Sequence, residues 1–144
     1  MKKYIGTKQI EAEPMTMGEA YEKGLLQAGR VPNENEKDNV GYHVKYKDGY
    51  ESWSPAEPFE IAYKCADTFL DRLLIEDTEL TEKYEKCSAF VDSDKFREVV
   101  KEDYPAFLLH LQREAMGSYL GTLHNRIEYA NGTKTESNTK YGFW

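Results

Sequence analysis

The densest cluster of chemically capable side chains lies between Tyr42 and Ser54, where Tyr42, Tyr46, Tyr50 and Trp53 interleave with His43, Lys45, Ser52 and Ser54. Aromatic rings offer flat faces on which a nucleobase stacks, worth roughly 1–3 kcal/mol per base. Ammonium, imidazole and hydroxyl groups beside them supply donors for phosphate and sugar oxygens. The same rings can instead form the core of a small sheet. Tyr42 and Tyr46 share the period-two face of Val44 and are read as core. His43 and Lys45 fall on the opposite face and are the candidate ligand donors.

Catalytic and metal chemistry find less support. His43, His110 and His124 are the only histidines. His110 and His124 fall on one expected helix about four turns apart, too far to share an ion. Cys65 and Cys87 are widely separated, with no Cys or His neighbours at metal spacing. The chain has no Gly-rich phosphate loop, HExxH, CxxC or nucleophile elbow. Carboxylates recur four residues before lysines, as in Glu79–Lys83 and Glu82–Lys86, the pattern of exposed helix-stabilising pairs. The residues therefore describe a non-enzymatic binder that needs no cofactor and no metal.

The elements that must position these groups can be read from pattern. Lys3 to Ala12 reads as a strand closed by Pro14. Thr16-Met17-Gly18-Glu19 has the form of a capping box, starting a helix from Met17 to Ala28 that Gly29 closes. Residues 31–39 form a polar loop. Gly41 to Trp53 is a hairpin turning at Lys47-Asp48-Gly49. Ser54-Pro55-Ala56-Glu57 reads as a second capping box, with Pro at the first helical position, and Phe59, Ala62 and Tyr63 share one face of the helix it opens. Beyond Asp67 the apolar spacing becomes helical: Leu70, Leu73, Leu80, Tyr84, Cys87 and Val91, interrupted by Asp77. A second stripe follows a loop that holds a short helical turn near Phe96, Val99 and Val100. It comprises Leu108, Gln112, Met116, Tyr119, Leu123 and Ile127. The expected fold is α+β: a β-α-β-β-α module over residues 1–66, an antiparallel two-helix hairpin over 67–130, and a polar tail over 131–144 whose Tyr141, Phe143 and Trp144 can pin its end. Two stripes of that length leave uncovered flanks, which predicts docking on the first module or self-association through the hairpin.

Apolar residues make up 40% of the chain and charged residues 31%, values of a folded domain rather than a disordered one. No run suits a bilayer or a signal peptide, and the two sparse cysteines point to a reducing compartment. The net charge of −7 is uneven: residues 67–130 hold 14 Asp/Glu against 8 Lys/Arg, while residues 1–66 hold 11 against 9. An acidic surface without a basic stripe disfavours a nucleic-acid polymer but leaves room for one small anion.

Tyr4-Ile5-Gly6-Thr7-Lys8, Ala12-Glu13-Pro14-Met15, Gly41-Tyr42-His43-Val44-Lys45-Tyr46, Asp48-Gly49-Tyr50 and Ser52-Trp53-Ser54-Pro55 form a string that resembles a widespread family of small bacteriophage accessory proteins. The second half resembles another phage segment, through Phe69-Leu70-Asp71-Arg72-Leu73, Glu79-Leu80, Phe90, Phe96, Leu108-Leu109, Gln112, Met116, Tyr119 and Arg126-Ile127. The chain departs from the first pattern at Tyr21 to Leu26, where an aromatic-rich segment is expected. Proteins of this look include immune-evasion sponges, which hold the cyclic nucleotide messengers of defence systems such as CBASS and Thoeris without destroying them. The resemblance implies a cyclic dinucleotide such as cGAMP as ligand, a cytoplasmic location in an infected bacterium, and a homo-oligomer with sites at subunit interfaces. It assigns stacking to Trp53 or Tyr50, hydroxyl donation to Ser52 and Ser54, and phosphate pairing to Lys45, Lys8 or Arg30. The alternative is an adaptor or inhibitor that presents the acidic hairpin to a basic host protein and takes no small ligand.

Overall fold

The computed structural model describes residues 1–132, and the tail expectation for 133–144 lies outside the described residues. The fold is α+β, and the chain divides into two compact units, one from Met1 to Lys64 and one from Cys65 onward.

The first unit holds β1 (Glu11–Pro14), α1 (Met17–Glu22), β2 (Gly41–Lys45), β3 (Glu51–Pro55) and α2 (Ala56–Ala62). The strands form one antiparallel sheet in the order β1-β2-β3. Register places Glu13, His43 and Trp53 side by side on one face, and Ala12, Val44 and Ser52 on the other. The second face receives α2: Phe59 stacks on Tyr42 with ring centroids 4.1 Å apart, and Tyr63 packs beside Phe59 at 5.1 Å. Val44, 1% exposed, is the buried centre. Burial on this scale contributes roughly 1.5–3 kcal/mol for such a side chain. On the first face, the Trp53 indole lies across Gly41, where any Cβ would overlap the ring and the Ser54 carbonyl. Glycine is therefore required there for a steric reason rather than for a turn.

Three local expectations are corrected. The first strand does not run from Lys3; it spans Glu11–Pro14, because β2 ends at Lys45, the partner of Glu11. The chain past Lys45 turns back at once through Tyr46 N–H to Tyr50 O (2.8 Å), leaving residues 3–10 no strand to pair with. The first helix stops at Glu22 rather than Ala28. Gly24, at φ 71°, closes it in a Schellman arrangement, with Leu25 N–H donating to Ala20 O and Gly24 N–H to Tyr21 O. Ser54 does not cap α2. It pairs with Tyr42 inside β3, Pro55 occupies the N-cap, and the Ser54 hydroxyl donates to the Pro55 carbonyl at 3.2 Å. The Thr16–Glu19 capping box does form, and its backbone and hydroxyl donors from Thr16 hold the Glu19 carboxyl below its ordinary range.

The second unit holds α3 (Phe69–Val91), α4 (Phe96–Val99) and α5 (Asp103–Ala130). A capping box that the sequence reading passed over, Thr68–Asp71, starts α3 with Asp in the place usually given to Glu. α3 and α5 pack antiparallel. Tyr84 lies against Gly117, Cys87 Sγ donates to Leu109 O at 3.8 Å, and Arg113 pairs with Asp92 at 2.6 Å. Val91, Phe96 and Ala106 close the turn end, with Phe90 edge-on to Phe96. Asp77, the apparent interruption of the α3 stripe, pairs with His124 of α5 at 2.7 Å, so the position is polar on both sides. The α5 stripe is rotated from expectation. Met116, Leu123 and Ile127 face α3, joined by Ala106, Leu109 and Leu120, whereas Leu108, Gln112 and Tyr119 are exposed. Small residues such as Ala106 and Gly117 take part in the contact, and a reading weighted toward large apolar residues discounts them.

Candidate functional site

The eight candidate site residues all lie in the first unit and divide among four places. Lys8, Lys45 and Tyr50 come together at the tip of the β2–β3 hairpin, around an open cleft of about 1100 Å³. Tyr46 and Lys47 also line it. Three lysines thus surround a pair of rings. Tyr46 and Tyr50 stack with centroids 5.7 Å apart, and the Lys8 ammonium stands 5.4 Å from the Tyr46 ring centre. Tyr50 is 64% exposed, so its outer face is open to a further planar group. The turn is fixed by backbone chemistry. Gly49 adopts φ 90°, its N–H donates to Tyr46 O, and the Asp48 carboxylate accepts from Tyr50 N–H at 3.0 Å. Glu11 and Asp48 are the carboxylates of the lining, against Lys8, Lys45 and Lys47. The balance favours an anion with a flat, stackable part.

Arg30 and Trp53 line a second, more apolar cleft of about 740 Å³ with Met17, Val40, Pro55 and Ile61. Neither group is idle there. Arg30 pairs with Glu36, and that guanidinium is the main reason the Glu36 carboxyl sits below its ordinary range. The Trp53 indole N–H donates to Met15 O at 2.8 Å, which ties β3 to the start of α1. His43 stands between two carboxylates, with Nδ1 3.3 Å from Glu13 and Nε2 2.8 Å from Glu51, so the three strands are clipped together across their face. Both ring nitrogens have protein partners. Ser52 and Ser54 lie on the face of Val44 and Tyr42, opposite Lys45 and Trp53. There the Tyr42 hydroxyl donates to Glu60 at 2.8 Å, a bond that raises its pKa. The structure therefore gathers three of the eight residues in one cleft and places the other five elsewhere.

Two cleft residues escaped the sequence reading. Tyr46 continues the Tyr42–Val44 alternation that marks core, yet the strand ends at Lys45 and the half-buried ring stacks on Tyr50. Lys47 was read only as part of a turn. The usable signal was the turn itself, since residues flanking a tight hairpin tip project into one small volume.

The second unit adds a different kind of information. Residues 67–129 match the Sequestin family model. The matched stretch runs from the start of the Thr68 cap through α3, α4 and α5 to Tyr129, and leaves the sheet unit outside it. Comparison with curated proteins and with solved structures gives no match. The Sequestin-matched hairpin holds the acidic surface, and no described helix is long and apolar enough to cross a membrane.

Proposed function

We propose that this chain is a phage-encoded immune-evasion protein that binds a cyclic nucleotide messenger of bacterial antiviral defence and holds it without cleaving it. A cyclic dinucleotide such as cGAMP is the ligand class that fits the hairpin-tip cleft. The carrying observation is the convergence of Lys8, Lys45 and Lys47 on the Tyr46–Tyr50 ring pair. A cyclic dinucleotide presents two phosphates and two bases. Lysines act on phosphate as mobile point charges, and an open tyrosine face takes a base. The Sequestin match supports the holding function, since the name of that family speaks of sequestration. In this reading Tyr50 stacks, Lys8, Lys45 and Lys47 neutralise phosphate, and His43 and Trp53 fix the sheet that carries them. Binding then needs no bond-breaking group.

The experiment is a thermal-shift panel of cyclic di- and trinucleotides on the full chain, followed by chromatography of the nucleotide released on heating. A ligand at a hundred times its Kd stabilises by about 2.7 kcal/mol, so the melt should rise by several degrees and the nucleotide should return intact. A flat panel at saturating nucleotide removes the proposal and leaves the acidic hairpin as a surface for a basic host protein.

A further inference from the structure

Lys45 of the hairpin-tip cleft stands between two carboxylates and pairs with neither. Strand register sets Glu11 of β1 and Glu51 of β3 directly opposite it. Residues so opposed share one face of the sheet, with Cβ atoms about 4.5–5.5 Å apart, so a lysine there ordinarily takes one of the carboxylates. Yet no ion pair to Lys45 occurs among the described residues. Glu51 reaches along the sheet instead, and its Oε1 lies 2.8 Å from His43 Nε2. Glu13, diagonal to Lys45 across β1 and β2, is engaged by the same ring, with Oε1 3.3 Å from His43 Nδ1. The imidazole suits this task because its two nitrogens sit on opposite edges, and one side chain reaches a carboxylate on each neighbouring strand.

We propose that His43 is a positioning residue for the ligand: by holding Glu51, and with it Glu13, away from Lys45, it leaves the Lys45 ammonium to a phosphate. The inference rests on the reading of the cleft as a cyclic-dinucleotide site for the identity of that phosphate. A lysine already paired with a carboxylate must give up that partner before it meets an anion. An exposed cross-strand ion pair favours its own contact by up to about fivefold, and an incoming phosphate loses that factor. Glu13 and Glu51 are 64% and 45% exposed, so removing the ring strands no buried charge and frees both carboxylates to move. Glu51, directly opposite Lys45, is the one that then competes with the ligand.

The test is isothermal titration of cGAMP into the full chain, into His43→Phe, and into His43→Phe combined with Glu51→Gln. Phenylalanine keeps a flat ring on the strand but has no donor. His43→Val, equally donor-free and favoured in strands, takes its place should far-UV circular dichroism show the sheet lost. His43→Phe should bind about three- to fivefold more weakly, and adding Glu51→Gln should bring the affinity back to within about twofold of the unsubstituted chain. A histidine that only braces the sheet gives no such rescue. Loss without rescue, or no loss at all, overturns the inference. A second readout needs no ligand: a nuclear Overhauser contact between Lys45 Hε and Glu51 Hγ should be absent in the unsubstituted chain and appear in His43→Phe. Should the unsubstituted chain bind neither cGAMP nor any other cyclic nucleotide of the panel, the nucleotide reading alone fails. The Overhauser contact then decides: its appearance in His43→Phe supports His43 as the group that keeps Lys45 open to an anion, and its absence overturns that role.

Discussion

The sheet unit and the helical hairpin solve the problem of a small core in opposite ways. The sheet unit buries little apolar surface, chiefly Met15, Met17, Ala20 and Val44, and fixes its geometry with individual contacts of high specificity. Trp53 donates to Met15 O and lies on Gly41, His43 bridges Glu13 and Glu51, and Tyr42 is held between Phe59 and Glu60. The hairpin instead relies on two long stripes centred on Leu73, Met116, Leu120 and Leu123, with the polar pairs Asp77–His124 and Asp92–Arg113 beside them. The lesson is a division of labour. Polar-pinned turns gather charged and aromatic groups in one small volume, while the long helices pair through one stripe and leave another face uncovered.

That contrast can be broken where each unit is most dependent on its own device. The largest effect is expected in the hairpin. Leu123 is completely buried, and Leu123→Ala should cost about 2–5 kcal/mol, seen as a lower melting temperature by far-UV circular dichroism. A loss under 1 kcal/mol would mean that the stripe is not what holds α3 to α5. In the sheet unit, Gly41→Ala forces a Cβ into the indole and should cost about 1–3 kcal/mol through overpacking. Trp53 fluorescence in a Trp144→Phe background reports it, with emission shifting to the red as the ring leaves its seat. Unchanged emission and stability would show that the ring is not pinned.

A smaller effect sharpens the comparison because both units share it. Each has one capping box, Thr16–Glu19 and Thr68–Asp71, and in each the backbone N–H of the threonine is the first cause of a depressed carboxyl pKa. Groups whose native pKa is lowered stabilise fully above their unfolded value and lose that contribution as pH falls through the native one. Glu19→Gln and Asp71→Asn should therefore each lower the melting temperature near neutrality. The cost should shrink as pH drops below the ordinary values of 4.5 for Glu19 and 3.8 for Asp71. Acid titration of the melting temperature checks this, and a cost independent of pH would place the effect outside the capping carboxylates.

How much was legible follows the same division. The hairpin tip, the Thr16 cap and the order of elements in the sheet unit were readable because Lys47-Asp48-Gly49 and Thr16 to Glu19 act locally. The extent of β1 was not, since it depends on where β2 stops, a fact held far along the chain at Lys45. Gly24 looked like one more small residue in a helix until its positive φ closed α1. In α5 the stripe was found but its rotation was not, because Ala106 and Gly117 face α3 through fit rather than hydrophobicity. For the site, Lys8, Lys45 and Tyr50 were legible as types, but which face each residue takes depends on strand register, and register separated Ser52 and Ser54 from them.

The central claim is that the lysine–tyrosine cleft at the hairpin tip is where the nucleotide is held. Isothermal titration of a cyclic dinucleotide into the full chain, beside Lys45→Ala and Tyr50→Ala, tests it most directly. Tyr50 and Lys45 are both exposed, and both substitutions should leave the fold intact. The account expects binding by the unsubstituted chain and a weakening of at least tenfold in each variant, equivalent to about 1.4 kcal/mol. Equal affinity in all three proteins would contradict it and move the ligand away from this cleft.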